Sequence, residues 1–472
     1  MRRMTRTRGG RRGWAVAPLV TVLVVAAAIT ACSSTGGLEA ASGGSLPTRG
    51  TVAGSIPAGD AGADDPELTD GTVAPASADC PPTAAVTAAQ VVDPSPSSLD
   101  DVPAPFSGPY PVASPLDDGP LADGPELQQV LDDTMDELSN TPGAMALVWV
   151  PGVGSWRGSA GIGDVVAGTP MDPERHFHIG SATKPFTVMT VLKLVEQGDL
   201  SLDDTVGQWF PEMPDGDDIT VRQLANMTSG LATFNSSSEP FFDRMAEGKT
   251  ATFEPAELIE FGLELPREHA PGEEFFYTNT ATVMLSVIVE QVTGRPYAEV
   301  LRDEVLTPLG LRNTAFPPVH GEAMPRPAIH GYFCADGEII DVTDWNTSYA
   351  GAAGAMTSTL DDLAVWTYQL GTGGAVSDEL FAEQTAFRML GGFGYGVGMA
   401  NFDGSWWGHN GGMPGYTSYA VYNPELNVVL VLNVNSDFAI QVGVDEDGRP
   451  RMDTPVTALF HAFDAAMTET PS

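Results

Sequence analysis

Ser181 and Lys184 stand three residues apart in the run His178-Ile179-Gly180-Ser181-Ala182-Thr183-Lys184. Residues at that spacing share one face of a helix, so the lysine amine reaches the serine hydroxyl. A serine hydroxyl becomes an effective nucleophile only when a neighbouring base takes its proton, and a desolvated lysine is such a base. Taken alone, the pair reads better as a helix N-cap serine followed by a solvated first-turn lysine. Tyr277-Thr278-Asn279 is the one Tyr-x-Asn in the chain, again just before an apolar run. A phenol shares or relays a proton and a carboxamide orients a substrate amide, although a core tyrosine and a first-turn asparagine look the same in sequence. His409-Asn410-Gly411 is the third candidate. Glycine there lets a substrate approach the backbone, and the amide of Gly412 is placed to face a developing oxyanion. His178-Ile179-Gly180 repeats the His-x-Gly pattern, so the pattern is unspecific without its context.

These residues need elements to hold them. Ser181 opens an apolar helix from about 182 to 197, closed by Gly198, with Pro185 tolerated because first-turn amides lack intrahelical partners. A second apolar helix, about 278 to 292, follows Tyr277 and ends before Gly294 and Pro296. Leu127, Val130, Leu131, Met135 and Leu138 recur at helical spacing from Gly124, and Val456, Leu459, Phe460 and Phe463 do so near the C-terminus. Strand patterns lie at both ends: 144–150 and 156–165 on one side, and 395–402, 406–411, 417–422 and 427–434 on the other. Between them, about 200 to 375, helical patterns and turns dominate. The expectation is an α/β chain of the α+β type: one antiparallel sheet closed by the two termini, flanked by helices and interrupted by an all-helical subdomain. No fixed-period repeat is present.

The order Ser181, Tyr277, His409 resembles the serine β-lactamase and penicillin-binding protein family, in the branch of class C β-lactamases, D-alanyl-D-alanine carboxypeptidases and esterases. The phrases 200–206 (LSLDDTV), 219–231 (ITVRQLANMTSGL) and 408–416 (GHNGGMPGY) carry the same resemblance, which covers roughly 124 to 469. It implies a β-lactamase/transpeptidase-like fold and a serine hydrolase working through an acyl-enzyme; no cofactor is expected. Ser181 is then the nucleophile, with Lys184 and Tyr277 sharing the proton work. The amides of Ser181 and Gly412 hold the oxyanion beside Gly411, and Asn279 orients the substrate. His409 takes the place of a lysine in other branches, and it is expected to titrate near neutrality and tune acylation. The substrate is a small-molecule or peptide acyl donor: a D-alanyl peptide, an ester or a β-lactam. One departure bears on it: between Arg388 and Arg449 there is no lysine or arginine to clamp a substrate carboxylate. His409 or Arg244 takes that role, or an uncharged ester or amide becomes the better substrate. Trp406 and Trp407 either wall the pocket or pack a core. The rival reading is a non-catalytic envelope protein that keeps the fold for binding.

Composition sets the surroundings. Of 472 residues, 42% are hydrophobic and 18% charged, enough for a substantial core. The formal net charge of -40 repels a polyanion, which argues against nucleic acid as a partner. Arg2, Arg3, Arg6, Arg8, Arg11 and Arg12 precede an apolar run from Trp14 to Ala28 and then Ile29-Thr30-Ala31-Cys32, an export signal over 1–31. Its end resembles a lipobox, with Cys32 as the lipidated first residue of a protein held on the outer face of the membrane; the alternative is an uncleaved signal anchor. Residues 32–123, rich in Gly, Ala, Ser, Pro and Asp, read as an acidic disordered tether to a hydrolase domain over 124–472. Cys80 and Cys334 remain, as a disulfide or as two thiols. No His, Cys or acidic spacing suggests a metal site, and oligomeric state is not legible.

Overall fold

Eight residues of alternating small and large apolar character, Gly143–Val150, end in a tight turn at Pro151 and return as Gly154–Asp164, so the two strands form a hairpin. The computed structural model describes residues 91–92, 116, 118–138, 141–320, 324–335, 338–438, 440–444 and 450–468. In chain order its strands are β1 Val91–Val92, β2 Gly143–Val150, β3 Gly154–Asp164, β4 Thr169–Pro170, β5 Phe177–His178, β6 Tyr332–Ala335, β7 Glu338–Asp341, β8 Thr357–Ser358, β9 Arg388–Leu390, β10 Phe393–Tyr395, β11 Ala400–Phe402, β12 Trp406–Met413, β13 Tyr416–Asn423, β14 Val428–Val434, β15 Ile440–Val444 and β16 Pro450–Asp453. The helices are α1 Gly124–Glu137, α2 Lys184–Gln197, α3 Val221–Ala225, α4 Phe234–Ser237, α5 Glu239–Met245, α6 Pro255–Leu263, α7 Asn279–Thr293, α8 Tyr297–Leu301, α9 Leu360–Thr372, α10 Asp378–Gln384 and α11 Pro455–Thr468.

The main sheet has nine strands in the order β4-β3-β2-β14-β13-β12-β11-β10-β9. Strands from the two ends of the chain meet where β14 pairs antiparallel with β2, Val431 opposite Leu147. The expected closure by the termini is therefore what forms. Period-two alternation sorts the side chains to two faces. Ala144, Ala146, Val148, Leu430 and Leu432 pack with Leu131, Leu459, Phe460 and Phe463 of α1 and α11. Met145, Leu147, Val429 and Val431 face the other way, into the large core shared with α2, α7 and α9. Each large apolar side chain so buried contributes roughly 1.5–3 kcal/mol.

Three features depart from the sequence expectation. First, the stretch read as a tether is partly bound to the domain: Val91 and Val92 pair in parallel with Ile339 and Ile340. Separately, at the β2–β3 turn, Asp118 accepts hydrogen bonds from Trp149 Nε1 and the Gly152 amide. Second, the segment between 200 and 375 also contains the β6–β7 hairpin, whose short strands lack an extended alternating run. A buried cluster of one histidine and two aspartates ties that hairpin to the main sheet. His330 Nδ1 lies 2.7 Å from Asp341 Oδ2 and its Nε2 3.6 Å from Asp164 Oδ2. Burial works to raise the Asp341 pKa, but His330 and Thr343 outweigh it and leave the carboxyl below its ordinary value. Third, the strand expected over 395–402 is two short strands, β10 and β11, split by Gly396 and Gly398. Cys334 on β6 is fully buried and disulfide-bonded; Cys80, read as its partner or as a second thiol, lies outside the described residues, as do Cys32 and the export segment. Among the described residues no helix is long and apolar enough to cross a membrane, and no group of three or more His, Cys, Asp or Glu side chains is arranged to hold a metal ion.

Candidate active site

The run after β5 turns through a single 3-10 segment, Gly180–Thr183, before α2 begins at Lys184. Ser181 is therefore not the N-cap of a regular helix; it sits on a tight turn against β12. The turn is pinned by two hydrogen bonds on the backbone of Ile179. Ile179 N donates to Met356 O at 3.1 Å, and Ser418 Oγ of β13 donates to Ile179 O at 3.1 Å. Two glycines make the approach possible. A Cβ on Gly411 would lie 1.9 Å from Ile179 O, and one on Gly180, whose φ is +54°, would lie 2.7 Å from the Gly412 nitrogen. Any side chain at either position forces the serine turn off the strand.

Lys184 Nζ donates to Ser181 Oγ at 3.0 Å and to Ala353 O at 2.9 Å. Lys184 is fully buried, so the solvated first-turn reading of this residue does not hold. The acceptor carbonyl comes from the 3-10 segment Thr347–Ala353, which runs beside α2 through a further bond from Thr187 Oγ1 to Ala352 O at 2.7 Å. Lys184 Nζ also stands 4.6 Å from the centre of the Tyr277 ring. Tyr277 is delivered by a loop strapped to residues 227–232: Phe276 N donates to Met227 O at 2.9 Å, and Thr278 Oγ1 to Ala232 O at 3.1 Å. Asn279, the first residue of α7, donates from Nδ2 to Asn235 Oδ1 at 2.9 Å, which fixes its carboxamide from the α4 side.

His409 on β12 points to the same side of the sheet, its ring 6.2 Å from that of Tyr277. It is 3% exposed. Burial, and then the charge of Lys184, push its pKa down to about 3 against the opposing pull of a hydrogen bond to Asn410. The expectation that His409 titrates near neutrality is corrected: it is a neutral ring there. Its Nδ1 stands 2.6 Å from Asn410 O and its Nε2 3.2 Å from the hydroxyl of Tyr395. Arg244, the other candidate for a carboxylate clamp, is engaged by the protein, as are Arg326 and Arg388. Arg244 donates to Thr252 O at 3.1 Å, Arg326 to Asp344 at 2.7 Å and Arg388 to Glu273 O at 2.7 Å. Trp406 faces away from the site, donating to Asp464 of α11 at 2.8 Å, whereas Trp407 lies on the site side against Phe387.

A sequence profile described as Beta-lactamase matches residues 131–449, which contain every residue of this constellation. The chain belongs to the Beta-lactamase family. Within it, the chain is similar to a D-stereospecific amidohydrolase from Streptomyces sp., at 31% identity and a TM-score of 0.61 over 67% of this chain and 95% of that one. It is also similar to a D-amino acid amidase from Ochrobactrum anthropi SV3, solved with L-phenylalanine amide. That match has 26% identity and a TM-score of 0.61 over 72% and 98% of the two chains. Esterase EstB of Burkholderia gladioli is 33% identical over 216 residues, 44% of this chain and 54% of EstB. The chain thus spans about half the length of that curated Beta-lactamase relative. Two parts of the site escaped sequence reasoning. The Ala353 carbonyl has no side-chain signal at all, and Tyr395 looked like any aromatic in a short strand.

Proposed function

We propose that the chain is a serine hydrolase that forms an acyl-enzyme on Ser181, with amides or esters lacking a substrate carboxylate as its donors. The observation that carries this is the buried Lys184 Nζ held 3.0 Å from Ser181 Oγ, on a turn pressed against Gly411 and Gly412. Ser181 Oγ attacks the acyl carbon while its proton passes through Lys184 and Tyr277 to the leaving nitrogen or oxygen. The amides of Ser181 and Gly412 receive the negative charge on the carbonyl oxygen, and water then releases the acid. Asn279 orients the acyl amide. The preference for uncharged or ammonium-bearing donors follows from three guanidinium groups already engaged by protein partners, and from a neutral His409. The relatives, an esterase, a D-stereospecific amidohydrolase and a D-amino acid amidase, support the same substrate class. The export signal over 1–31 and a lipid on Cys32 set the proposed place of action at the outer face of the membrane.

The test is intact-protein mass and turnover with p-nitrophenyl acetate, D-phenylalanine amide and benzylpenicillin, beside Ser181→Ala and Lys184→Ala. Ser181-dependent turnover of the ester and amide above that of the penicillin is expected, with Lys184→Ala slower by about 10²–10⁴-fold. Absence of any Ser181-dependent adduct or turnover would leave a non-catalytic binding protein. Penicillin as the fastest acylating agent would overturn the substrate preference.

A further inference from the structure

The ring nitrogens of His409 have two different partners, and the difference fixes where its proton is. Nδ1 stands 2.6 Å from the carbonyl oxygen of Asn410. A carbonyl only accepts, so Nδ1 carries the proton and Nε2 presents a lone pair. The group facing that lone pair at 3.2 Å is the hydroxyl of Tyr395, which therefore donates to it. Tyr395 arrives from two strands away. It pairs with Ala400 of β11, and Ala400 pairs with Gly408 of β12, the residue before His409. Its ring meets His409 edge to face at 5.8 Å and Tyr277 at 6.3 Å. The same tyrosine thus touches the imidazole and the ring on which Lys184 rests.

Resting on the hydrolase reading above, we infer that Tyr395 is a positioning residue: its hydroxyl locks His409 as the Nδ1-protonated tautomer and keeps the imidazole out of the proton circuit of Ser181, Lys184 and Tyr277. With Nε2 occupied, His409 neither accepts a proton from Tyr277 nor donates to a substrate carboxylate. It serves as a fixed wall behind Tyr277. Removing the hydroxyl leaves Nε2 as an acceptor beside the Tyr277 ring, where it competes for the phenol proton.

The experiment uses the full chain with ¹⁵N-labelled imidazoles and the variants Tyr395→Phe, His409→Gln, both together, and Phe393→Leu. Phe393 touches the Tyr395 ring at 6.3 Å and serves as a control that loosens the same cluster without removing the hydroxyl. The His409 resonances, assigned by their loss in His409→Gln, are expected to show a protonated Nδ1 and a hydrogen-bonded, unprotonated Nε2. In Tyr395→Phe the Nε2 resonance moves towards the unbonded position, and in Phe393→Leu it stays. Acylation by p-nitrophenyl acetate is expected to fall about fivefold to tenfold in Tyr395→Phe, the loss of one hydrogen bond, with no further fall when His409→Gln is already present. A protonated Nε2 in the parent protein, an unmoved resonance in Tyr395→Phe, or losses that multiply in the double variant would each overturn the inference. The nitrogen spectra are read without turnover, so a chain that fails to hydrolyse anything still tests the tautomer lock separately from the hydrolase reading.

Discussion

At the scale of single residues, the site is made by what two glycines omit as much as by what the side chains supply. Ser181 meets β12 only because Gly180 and Gly411 leave the Ile179 carbonyl and the Gly412 amide unobstructed. Gly411→Ala is therefore expected to destabilise the fold by about 1–3 kcal/mol through overpacking. It is expected to slow acylation about 100-fold, because a displacement near 1 Å of a reacting group costs that much. Urea unfolding and single-turnover acylation read the two effects. An alanine variant as fast as its parent would show that the turn yields without cost. The depressed pKa of His409 leads to a second expectation. With the group titrating at about 3, the acylation profiles of the parent and of His409→Gln have the same shape between pH 5 and 8. A limb between those values that disappears with the histidine would mean the ring is charged in the working enzyme.

At the scale of elements, the sheet separates chemistry from support. Neighbouring Trp406 and Trp407 fall on opposite faces of β12, one against α11 and one beside the site. Trp406→Phe keeps an aromatic against Phe460 but loses the bond from Nε1 to Asp464. It is expected to cost about 1–2 kcal/mol of stability in urea unfolding and to leave acylation unchanged. A selective loss of acylation would place that ring in the substrate's path. Elements with long apolar periodicity were legible: α1, α2, α7, α11 and the strands β2, β3 and β12 to β14 stand close to where the pattern put them. The β6–β7 hairpin was not, because strands of four residues, tied in by the distant contact of His330 with Asp341, carry too little pattern.

For the whole molecule, two buried histidines make acid the weak condition. The pKa of His178 is pushed down to about 3 by burial and then by the charge of Arg326, and that of His409 by burial and then Lys184. In the unfolded chain each takes a proton near pH 6.5, while the folded protein refuses it until about pH 3. The unfolded state thus binds more protons across that interval, and stability falls as pH drops from 6.5 towards 3. Thermal melts at pH 7, 6, 5 and 4 are expected to decline, with a shallower slope in His178→Gln and in His409→Gln. Slopes identical to the parent's in both variants would assign the decline to other groups.

The sequence by itself determined which residues are candidates and in what order they come, because residue type, helical spacing and the position of Ser181, Tyr277 and His409 are local or linear properties. It also determined that strands from the two ends close one sheet, since alternation at both termini leaves each half with an unpartnered edge. Only the tertiary structure decided what those residues are to one another. Lys184 is buried rather than solvated because the 347–353 segment covers it, and His409 is neutral because that burial and that lysine act on it together. Tyr395 reaches the imidazole across the sheet, from a strand two removed from that of His409. These are effects of proximity and desolvation between segments far apart in the chain, and no window along the sequence contains them.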